Sequence, residues 1–303
     1  MTLEQLRIFV AVAECEHVTR AAEALRLTQS AVSAAIAALE SRYGVTLFDR
    51  VGRRIELNEV GRMFLGEARA VLARAATAEL ALSEMSGLKR GTLSVHASQT
   101  IASYWLSPRL VAFRSAYPRI EVKLAVGNTA QTAEAVIGGT AELGFVEGRV
   151  EDPALVQNTI DQDQLTIVTG AGHPWAQKKR LTERDLVEGD WVLRELGSGT
   201  RSEFEAALAA RGVPPGALHI VLELPTNEAV RAAVEAGAGV TAISELVVEA
   251  ALRAGTLVAL PFELPARPFL VLHHRDRYRS KAAQEFLKII TEFSEPRPAR
   301  SAS

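Results

Sequence analysis

The chain has 303 residues, of which 48% are hydrophobic and 23% charged, and it contains one cysteine, Cys15. This balance is typical of a globular protein with more than one domain. A single cysteine excludes both an internal disulfide and a cysteine-cluster metal site. No apolar run reaches the length of a membrane span, and the first residues lack the pattern of a signal peptide. The sequence therefore predicts a cytoplasmic protein with no membrane partner.

The net charge of −2 conceals a local excess of positive charge. Four arginines (Arg42, Arg50, Arg53 and Arg54) lie in one short segment with a single acid, Asp49. A basic patch of this kind is able to engage phosphates even on a near-neutral protein. The same cluster also fits an ordinary solvated surface, so its meaning depends on the neighbouring elements.

Three short helices are predicted at the N-terminus. Thr2 and Gln5 form a capping-box pattern ahead of apolar residues at helical spacing. A second helix is predicted over about residues 19–26, and Thr28 is a suitable N-cap for a third, which Gly44 ends. The buried stripe of the third helix is predicted to consist of Val32, Ala35, Ile36 and Leu39.

Two strand-like runs follow, Leu47–Arg50 and Arg54–Leu57, and they flank Gly52. Short strands around a glycine are typical of a hairpin. Three helices followed by a hairpin predict a winged helix-turn-helix over residues 1–58.

A helix-turn-helix reads DNA with the exposed N-terminal residues of its third helix. The candidate contacts are Thr28, Gln29, Ser30 and Ser33 on that helix, and Arg50, Arg53 and Arg54 on the wing. Glutamine pairs bidentately with adenine, and arginines contact phosphates or the minor groove. The alternative is that these are ordinary surface side chains of a helical domain.

A long helix is predicted to start after Asn58 and to end near Gly87. Its apolar positions are Val60, Phe64, Ala68, Val71, Ala75, Ala78, Leu82 and Met85. Their average spacing is close to the coiled-coil period, which predicts a dimerising linker over residues 59–90, roughly 40 Å long. The alternative is an amphipathic helix that packs on its own domain.

The pattern changes beyond Thr92, where strand-like runs alternate with helical segments. The runs are Leu93–Val95, Ile120–Val126, Leu143–Val146, Leu165–Val168, Trp191–Leu193, Ile220–Leu224, Val240–Ile243 and Phe269–Leu272. This alternation predicts an α/β fold with a largely parallel sheet, and the length of residues 91–303 suits two lobes. The proline-rich residues 296–303 are predicted to be disordered.

Several N-terminal motifs together resemble the DNA-binding domain of LysR-type transcriptional regulators. They are Leu3-x-x-Leu6-x-x-Phe9, Thr19–Leu25, Thr28–Ser33, Ile36-x-x-Leu39-Glu40 and Gly44–Arg50. The resemblance implies a homodimer or homotetramer on double-stranded promoter DNA, with RNA polymerase as a further partner and no cofactor. It also adds Ala34 to the DNA-contacting positions, where many relatives carry a long polar or basic side chain.

The same resemblance implies a C-terminal domain like the periplasmic solute-binding proteins, with a ligand cleft between two lobes. Lobe I would span 91–163 and 267–303, and lobe II 164–266. The candidate effector-binding residues are Ser98, Gln99, Thr100, Asn128, Thr129, Glu147, Arg194, Ser198, Gly199, Thr200, Arg201, Thr226 and Asn227. Most of them lie where a strand passes into a helix, and helix N-termini favour anions. Each segment alone also fits a simple helix cap.

The subgroup is suggested by Asn128–Thr129, Gly144–Gly148, His173–Pro174, Arg194–Glu195 and Gly197–Arg201. These segments resemble regulators of sulfur assimilation that respond to sulfite or a related oxyanion. Regulators of carbon fixation share parts of the pattern, so a phosphorylated metabolite or an organic acid stays open. A carboxylate at Glu147 would oppose a small anion unless Arg194 or Arg201 pairs with it.

An enzyme is the remaining alternative, and the sequence argues against it. The Gly-Ser-Gly segment at Gly197–Gly199 lacks the lysine and the spacing of a P-loop. The six histidines show no metal-ligand spacing, and His273 and His274 would point to opposite faces of a strand. The prediction is a regulator without catalytic or metal-binding residues.

Overall fold

The computed structural model describes residues 1–51, 54–85, 91–214 and 216–294. The chain forms two compact units, Met1–Leu88 with Ile137–Thr140 and Lys89–Val136 with Ala141–Ser303. Arg53, Gly52 and Gly87 lie outside the described residues, as does the proline-rich segment 296–303. In the described ranges, no helix is long and apolar enough to cross a membrane.

The N-terminal unit contains the predicted helices and hairpin. Its elements are α1 (Leu3–Cys15), α2 (Val18–Leu25), α3 (Gln29–Tyr43), β1 (Phe48–Val51), β2 (Arg54–Leu57) and α4 (Glu59–Met85). The capping box of Thr2 and Gln5 is present, and the Thr28 hydroxyl accepts a hydrogen bond from the Ala31 amide at 3.2 Å. Gly44 ends α3 with a φ of +66°, in the left-handed region that favours glycine. The winged helix-turn-helix prediction is confirmed.

Helix α4 begins as predicted, because the Asn58 side chain accepts a hydrogen bond from the Gly61 amide at 2.8 Å. Its first part packs on its own unit: Ala68 is buried, and the Phe64 ring lies 4.9 Å from that of Phe9. Farther along, Val71 and Leu82 are 41% and 69% exposed. The packing alternative therefore describes the first part of the helix, and dimerisation through the outer part stays a prediction.

Nine strands lie in the described residues of the C-terminal unit. They are β3 (Gly91–Ser98), β4 (Ile120–Gly127), β5 (Leu143–Glu147), β6 (Leu155–Gly170), β7 (Asp190–Arg194), β8 (His219–Leu224), β9 (Val240–Ser244), β10 (Leu257–Ala259) and β11 (Ala266–His274). Its helices are α5 (Ser107–Ala116), α6 (Thr129–Gly138), α7 (Glu183–Glu188), α8 (Gly199–Ala209), α9 (Asn227–Glu235), α10 (Glu245–Ala254) and α11 (Lys281–Ser294), with a π-helical turn at Ile101–Leu106 and a 3₁₀ turn at Pro174–Gln177.

The strand order is β4-β3-β5-β11-β6-β9-β7-β8, and β10 pairs with β6. Strands β4, β3 and β5 are parallel, as are β8, β7 and β9, but β11 and β6 run antiparallel to their neighbours. The expected largely parallel sheet is therefore wrong, and the sheet is mixed. The two antiparallel strands join two parallel three-stranded groups.

Strand β6 changes its partner along its length. Residues 155–164 pair with β11, and residues 165–169 pair with β9. Each side has its own core, one around Phe113, Phe145 and Phe286 and the other around Trp191 and Phe204. The predicted two-lobed α/β fold, like that of periplasmic binding proteins, is confirmed.

Candidate functional site

The carboxyl ends of the parallel strands position the candidate site. Strands β3 and β5 end at Ser98 and Glu147, and β7, β8 and β9 end at Arg194, Leu224 and Ser244. In open α/β sheets, ligands bind outside the carboxyl ends of the strands. Most of the predicted effector-binding residues therefore lie at the carboxyl ends of the strands, where folds of this kind bind ligands.

One pair of predicted segments meets across the two lobes. The Asn227 side chain donates a hydrogen bond to the Thr100 hydroxyl at 3.0 Å, and the Asn227 amide donates to the Gln99 side chain at 3.0 Å. Gln99 in turn donates to the Pro225 carbonyl oxygen at 3.0 Å. The nearby Thr226 hydroxyl instead caps α9, because it accepts from the Ala229 amide.

A second pair of predicted segments also meets across the lobes. The Asn128 side chain donates to a Glu195 carboxylate oxygen at 3.2 Å, and the Ala130 amide donates to the Gly197 carbonyl oxygen at 3.2 Å. The four segments chosen from the sequence thus come together as two facing pairs.

Gly199 begins α8 at a point where α8 closely approaches Thr129 at the start of α6 and Glu147 at the end of β5. A Cβ atom at this position would lie 2.5 Å from the Thr129 hydroxyl and would also overlap the Glu147 carbonyl oxygen. The Thr129 hydroxyl donates to that same carbonyl oxygen at 3.2 Å. Because any side chain at residue 199 would push these groups apart, the close approach requires glycine. The neighbouring Ser198 is buried at the N-cap of α8.

Arg194 is held by partners within its own lobe. Its guanidinium donates to both Glu195 carboxylate oxygens, at 2.8 and 2.9 Å, and to the Asn227 side chain at 2.7 Å. Burial raises the pKa of Glu195, but the Arg194 hydrogen bonds and charge, with the Asn128 hydrogen bond, outweigh it and lower the pKa below its usual value.

Arg201 also donates to acceptors other than Glu147. It donates to Glu205 at 2.8 Å, to the Arg194 carbonyl oxygen at 3.1 Å and to Glu223. Neither Arg194 nor Arg201 pairs with Glu147, so the condition under which its carboxylate would not oppose a small anion is not met by these two residues. Both arginines donate hydrogen bonds to other acceptors, so neither offsets the negative charge of Glu147.

The cation beside Glu147 is Arg267, which the sequence analysis missed. Arg267 is 1% exposed, and its Nη2 lies 3.9 Å from Glu147 Oε1. Its Nε donates to Asp163 at 2.8 Å, and its Nη1 donates to the Thr200 hydroxyl at 3.0 Å. Asp163 also accepts a hydrogen bond from the Ser244 hydroxyl at 2.8 Å. The Arg267 guanidinium on β11 therefore contacts Asp163 on β6, Glu147 in lobe I and Thr200 in lobe II.

Among the described residues, two buried polar atoms at the strand ends have no hydrogen-bond partner, Ser98 Oγ and Glu147 Oε1. Arg267 Nη2 lies 2.6 Å from an Asp163 oxygen as an ion pair, without hydrogen-bond alignment. Unpaired polar atoms of this kind are uncommon in protein interiors and call for a physical explanation. Among the residues that the structure describes, no cluster of histidine, cysteine or acidic side chains could hold a metal.

The N-terminal unit displays the predicted DNA-contacting residues. Gln29, Ser30, Ser33 and Ala34 are exposed on α3, while the Thr28 hydroxyl is occupied as the helix cap. Arg50 and Arg54 are exposed on the two strands of the wing, whose turn lies outside the described residues together with Arg53. The polar start of α3 and the basic wing belong to one compact unit.

Two family profiles match nearly the whole chain. "Bacterial regulatory helix-turn-helix protein, lysR family" matches residues 3–62, and "LysR substrate binding domain" matches residues 86–295. The chain belongs to the LysR family. This LysR-family protein is a DNA-binding transcriptional regulator with a C-terminal domain that binds a small-molecule effector.

The relatives and solved structures agree with this family. The "Uncharacterized HTH-type transcriptional regulator YeiE" of Escherichia coli K12 is 35% identical over 98% of this chain and 99% of its own length. The crystal structure of CbnR, a LysR family transcriptional regulator, has a TM-score of 0.69 at 23% identity and covers 98% of this chain and 100% of its own. The Synechocystis CcmR regulatory domain in complex with 2-PG has a TM-score of 0.62 at 25% identity and covers 69% of this chain and 100% of its own.

Proposed function

We propose that this LysR-family regulator binds sulfite or a related small oxyanion between its lobes and thereby alters promoter binding. The observation that carries the proposal is the pair of buried atoms without a hydrogen-bond partner, Ser98 Oγ and Glu147 Oε1, beside the buried Arg267 guanidinium. Each buried polar group left unpaired costs about 1–3 kcal/mol. A ligand that pairs with these atoms would recover part of that cost.

The donors favour an oxyanion over an apolar ligand. Arg267 supplies a buried positive charge, and Ser98 supplies a hydroxyl 3% exposed. Helices α6 and α8 begin beside Glu147 and are 10 and 11 residues long, so their N-terminal dipoles add positive potential. An apolar effector would leave these polar groups unsatisfied.

A ligand panel tests the class of effector. Sulfite, phosphate, sulfate, a phosphate monoester and several organic acids are each added to the full-length protein during thermal unfolding. Because an effector binds only the folded state, one present at a hundredfold excess over its Kd should stabilise it by about 2.7 kcal/mol. Stabilisation by an aromatic or apolar acid alone, with no response to any oxyanion, would reject the proposal.

Replacing Ser98 with alanine should weaken oxyanion binding about tenfold, because a hydrogen bond contributes roughly 1 kcal/mol or somewhat more. Stability without ligand should stay the same or rise slightly, since Ser98 Oγ has no protein partner to lose. Thr100→Val is the contrasting variant, because the Thr100 hydroxyl accepts from buried Asn227. It should lower stability without ligand. Calorimetry and thermal unfolding separate the two outcomes, and a Ser98→Ala protein with wild-type affinity would contradict the site.

We also propose that α3 reads base edges through Gln29. Gln29→Ala should cost about 1–3 kcal/mol against a site selected by the wild-type protein from a random library. Binding to unrelated duplexes should change little, so specificity relaxes. Ser41→Ala, an exposed polar change near the other end of α3, is the matched control. Fluorescence anisotropy on both duplexes gives the result, and unchanged discrimination would assign base reading to other residues.

The regulator is further proposed to act as a homodimer, or as a homotetramer built from such dimers, through the outer part of α4. The supporting observation is the exposure of Val71, Ala78 and Leu82 along one side of that helix. A long apolar seam left in water is unfavourable. A second copy of the chain is the partner that coiled-coil spacing favours.

A further inference from the structure

We propose that the cleft selects an oxyanion that still carries a proton, and that Glu147 accepts a hydrogen bond from the ligand hydroxyl. This inference rests on the proposed function, because it specifies which oxyanions the same site binds. It assigns Glu147, which opposes a simple anion, the role of a selectivity determinant.

Glu147 and Arg267 face each other across a short gap at the ends of their strands. Glu147 Oε1 and Arg267 Nη2 are 3.9 Å apart, which is beyond hydrogen-bond range. Glu147 Oε1 has no hydrogen-bond partner among the described residues, and Arg267 Nη2, which lies 2.6 Å from an Asp163 oxygen, carries a second N–H group. Both side chains are almost fully buried, at 2% and 1% exposure. A single atom placed between them could lie within hydrogen-bond distance of both.

The chemistry of that atom follows from its two neighbours. A guanidinium has only donors, so the atom must accept from Arg267. A carboxylate has only acceptors, so the same group must donate to Glu147. A hydroxyl oxygen does both, whereas an ammonium group cannot accept and a fully ionised oxygen cannot donate.

Hydrogen sulfite and hydrogen phosphate carry such a proton at neutral pH, whereas a phosphate monoester, with a second pKa of about 6, has mostly lost it. Sulfate has no proton, so each of its oxygens would place an acceptor against the Glu147 acceptor. A buried contact between two acceptors forms no hydrogen bond and leaves both desolvated. The site should therefore distinguish protonated oxyanions from sulfate, which has a similar size.

The charges around Glu147 favour the same class of ligand. Arg267 faces it from β11, Asp163 from β6 is already paired with that arginine, and Glu203 lies close by on α8. Burial raises the pKa of Glu203; the Arg267 charge opposes this, and the Glu147 charge adds to it. One guanidinium among three carboxyl groups disfavours doubly charged anions, so hydrogen sulfite is favoured by its charge. Hydrogen phosphate has the same charge as sulfate, and the hydroxyl contact with Glu147 alone distinguishes the two. The Arg194–Glu195 pair beside Asn128 adds no net charge.

The test compares phosphate, sulfite and sulfate by calorimetry on the full-length protein. Wild type should bind phosphate and sulfite at least about tenfold more tightly than sulfate, the value of roughly one hydrogen bond to a charged group. Sulfite affinity should fall from mildly acidic to mildly basic pH, where the anion loses its proton. Phosphate keeps one proton over that range, so its affinity should fall less.

Glu147→Gln supplies a side-chain amide that can donate to sulfate. The preference for phosphate over sulfate should shrink about tenfold or more. Glu249→Gln, an exposed carboxylate on α10, is the matched control and should keep the wild-type preference. If Glu147→Gln fails to fold, the wild-type comparison with sulfate and the pH series still decide.

The outcomes separate this inference from the proposed function. Equal wild-type affinity for phosphate and sulfate would overturn the role of Glu147 and leave an oxyanion site intact. An unchanged preference in a folded Glu147→Gln protein would do the same. A wild-type protein that binds none of the three anions would reject the oxyanion function, and this inference with it.

Discussion

Arg267→Met should lower the free energy of unfolding of the C-terminal unit by about 3–5 kcal/mol, the usual cost of breaking a buried ion pair from one side. The change leaves Asp163 and Glu147 buried without their guanidinium, and the Thr200 hydroxyl without its donor. It should also abolish oxyanion binding, because the buried positive charge is gone. Methionine is chosen since it fills much of the arginine stem.

Tryptophan fluorescence during urea unfolding measures this effect in the correct part of the chain. The only tryptophans, Trp105, Trp175 and Trp191, all lie in the C-terminal unit. The matched control is Arg253→Met, whose exposed guanidinium pairs with Glu249 on the surface. That change should alter stability by at most about 0.5 kcal/mol.

The double variant Arg267→Met with Asp163→Asn distinguishes charge from packing. Removing the orphaned Asp163 charge should recover part of the lost stability, so the two changes should not be additive. If Arg267→Met alone cost less than about 1 kcal/mol, the guanidinium would not be the link between lobes that its contacts indicate. If the double variant recovered nothing, lost packing around Arg267 would account for the effect.

The absence of Arg267 from the predicted site has a physical reason. In the sequence it precedes Pro268 and an apolar run, and a lone arginine at a strand end is usually exposed. Its burial depends on Asp163, 104 residues away. Asp163 itself lies in the polar half of β6, which has no strand-like pattern and pairs with β11. Pairings at such separations leave no local signal in one sequence.

Helix caps and helix ends, which depend on residues close together in the sequence, could be predicted. The caps at Thr28 and Asn58 and the end of α3 at Gly44 follow from residue type and position. The four strand-end segments were found in the same way. The spacing of Arg201 and Glu205, four residues apart on α8, also predicts the ion pair that they form, and the sequence analysis did not use it. That pair alone weakened the case for Arg201 as the partner of Glu147.

The period of α4 illustrates a different limit of sequence analysis. A repeat near 3.5 residues indicates which side of a helix is apolar, but it does not identify what covers that side. Phe64 and Ala68 are covered by the unit that contains them, as Phe64 contacts Phe9. Val71 and Leu82 continue the same side and are exposed. The dimer proposal therefore depends on the outer part of the helix alone.

Glutamate at Val71 and Leu82 should convert the proposed dimer to a monomer. Both side chains are exposed in the single chain, so the substitutions should leave its fold intact. In a dimer seam, each glutamate would be desolvated and would repel its counterpart in the second copy. Light scattering should show the mass of one chain. If the C-terminal units still hold the copies together without the α4 contact, the mass stays higher and promoter affinity gives the result.

Loss of the α4 contact should weaken binding to a two-half-site promoter by about 10²–10⁴-fold, because one dimer no longer engages both half-sites at once. Affinity for a single half-site should barely change, since α3 and the wing are untouched. Ala76→Glu adds the same charge at an exposed position on another side of α4 and should retain dimerisation and promoter affinity. If Val71→Glu with Leu82→Glu kept both the wild-type mass and the wild-type promoter affinity, the outer part of α4 would not be the dimer contact. The paired half-sites would then have to be held by the C-terminal units.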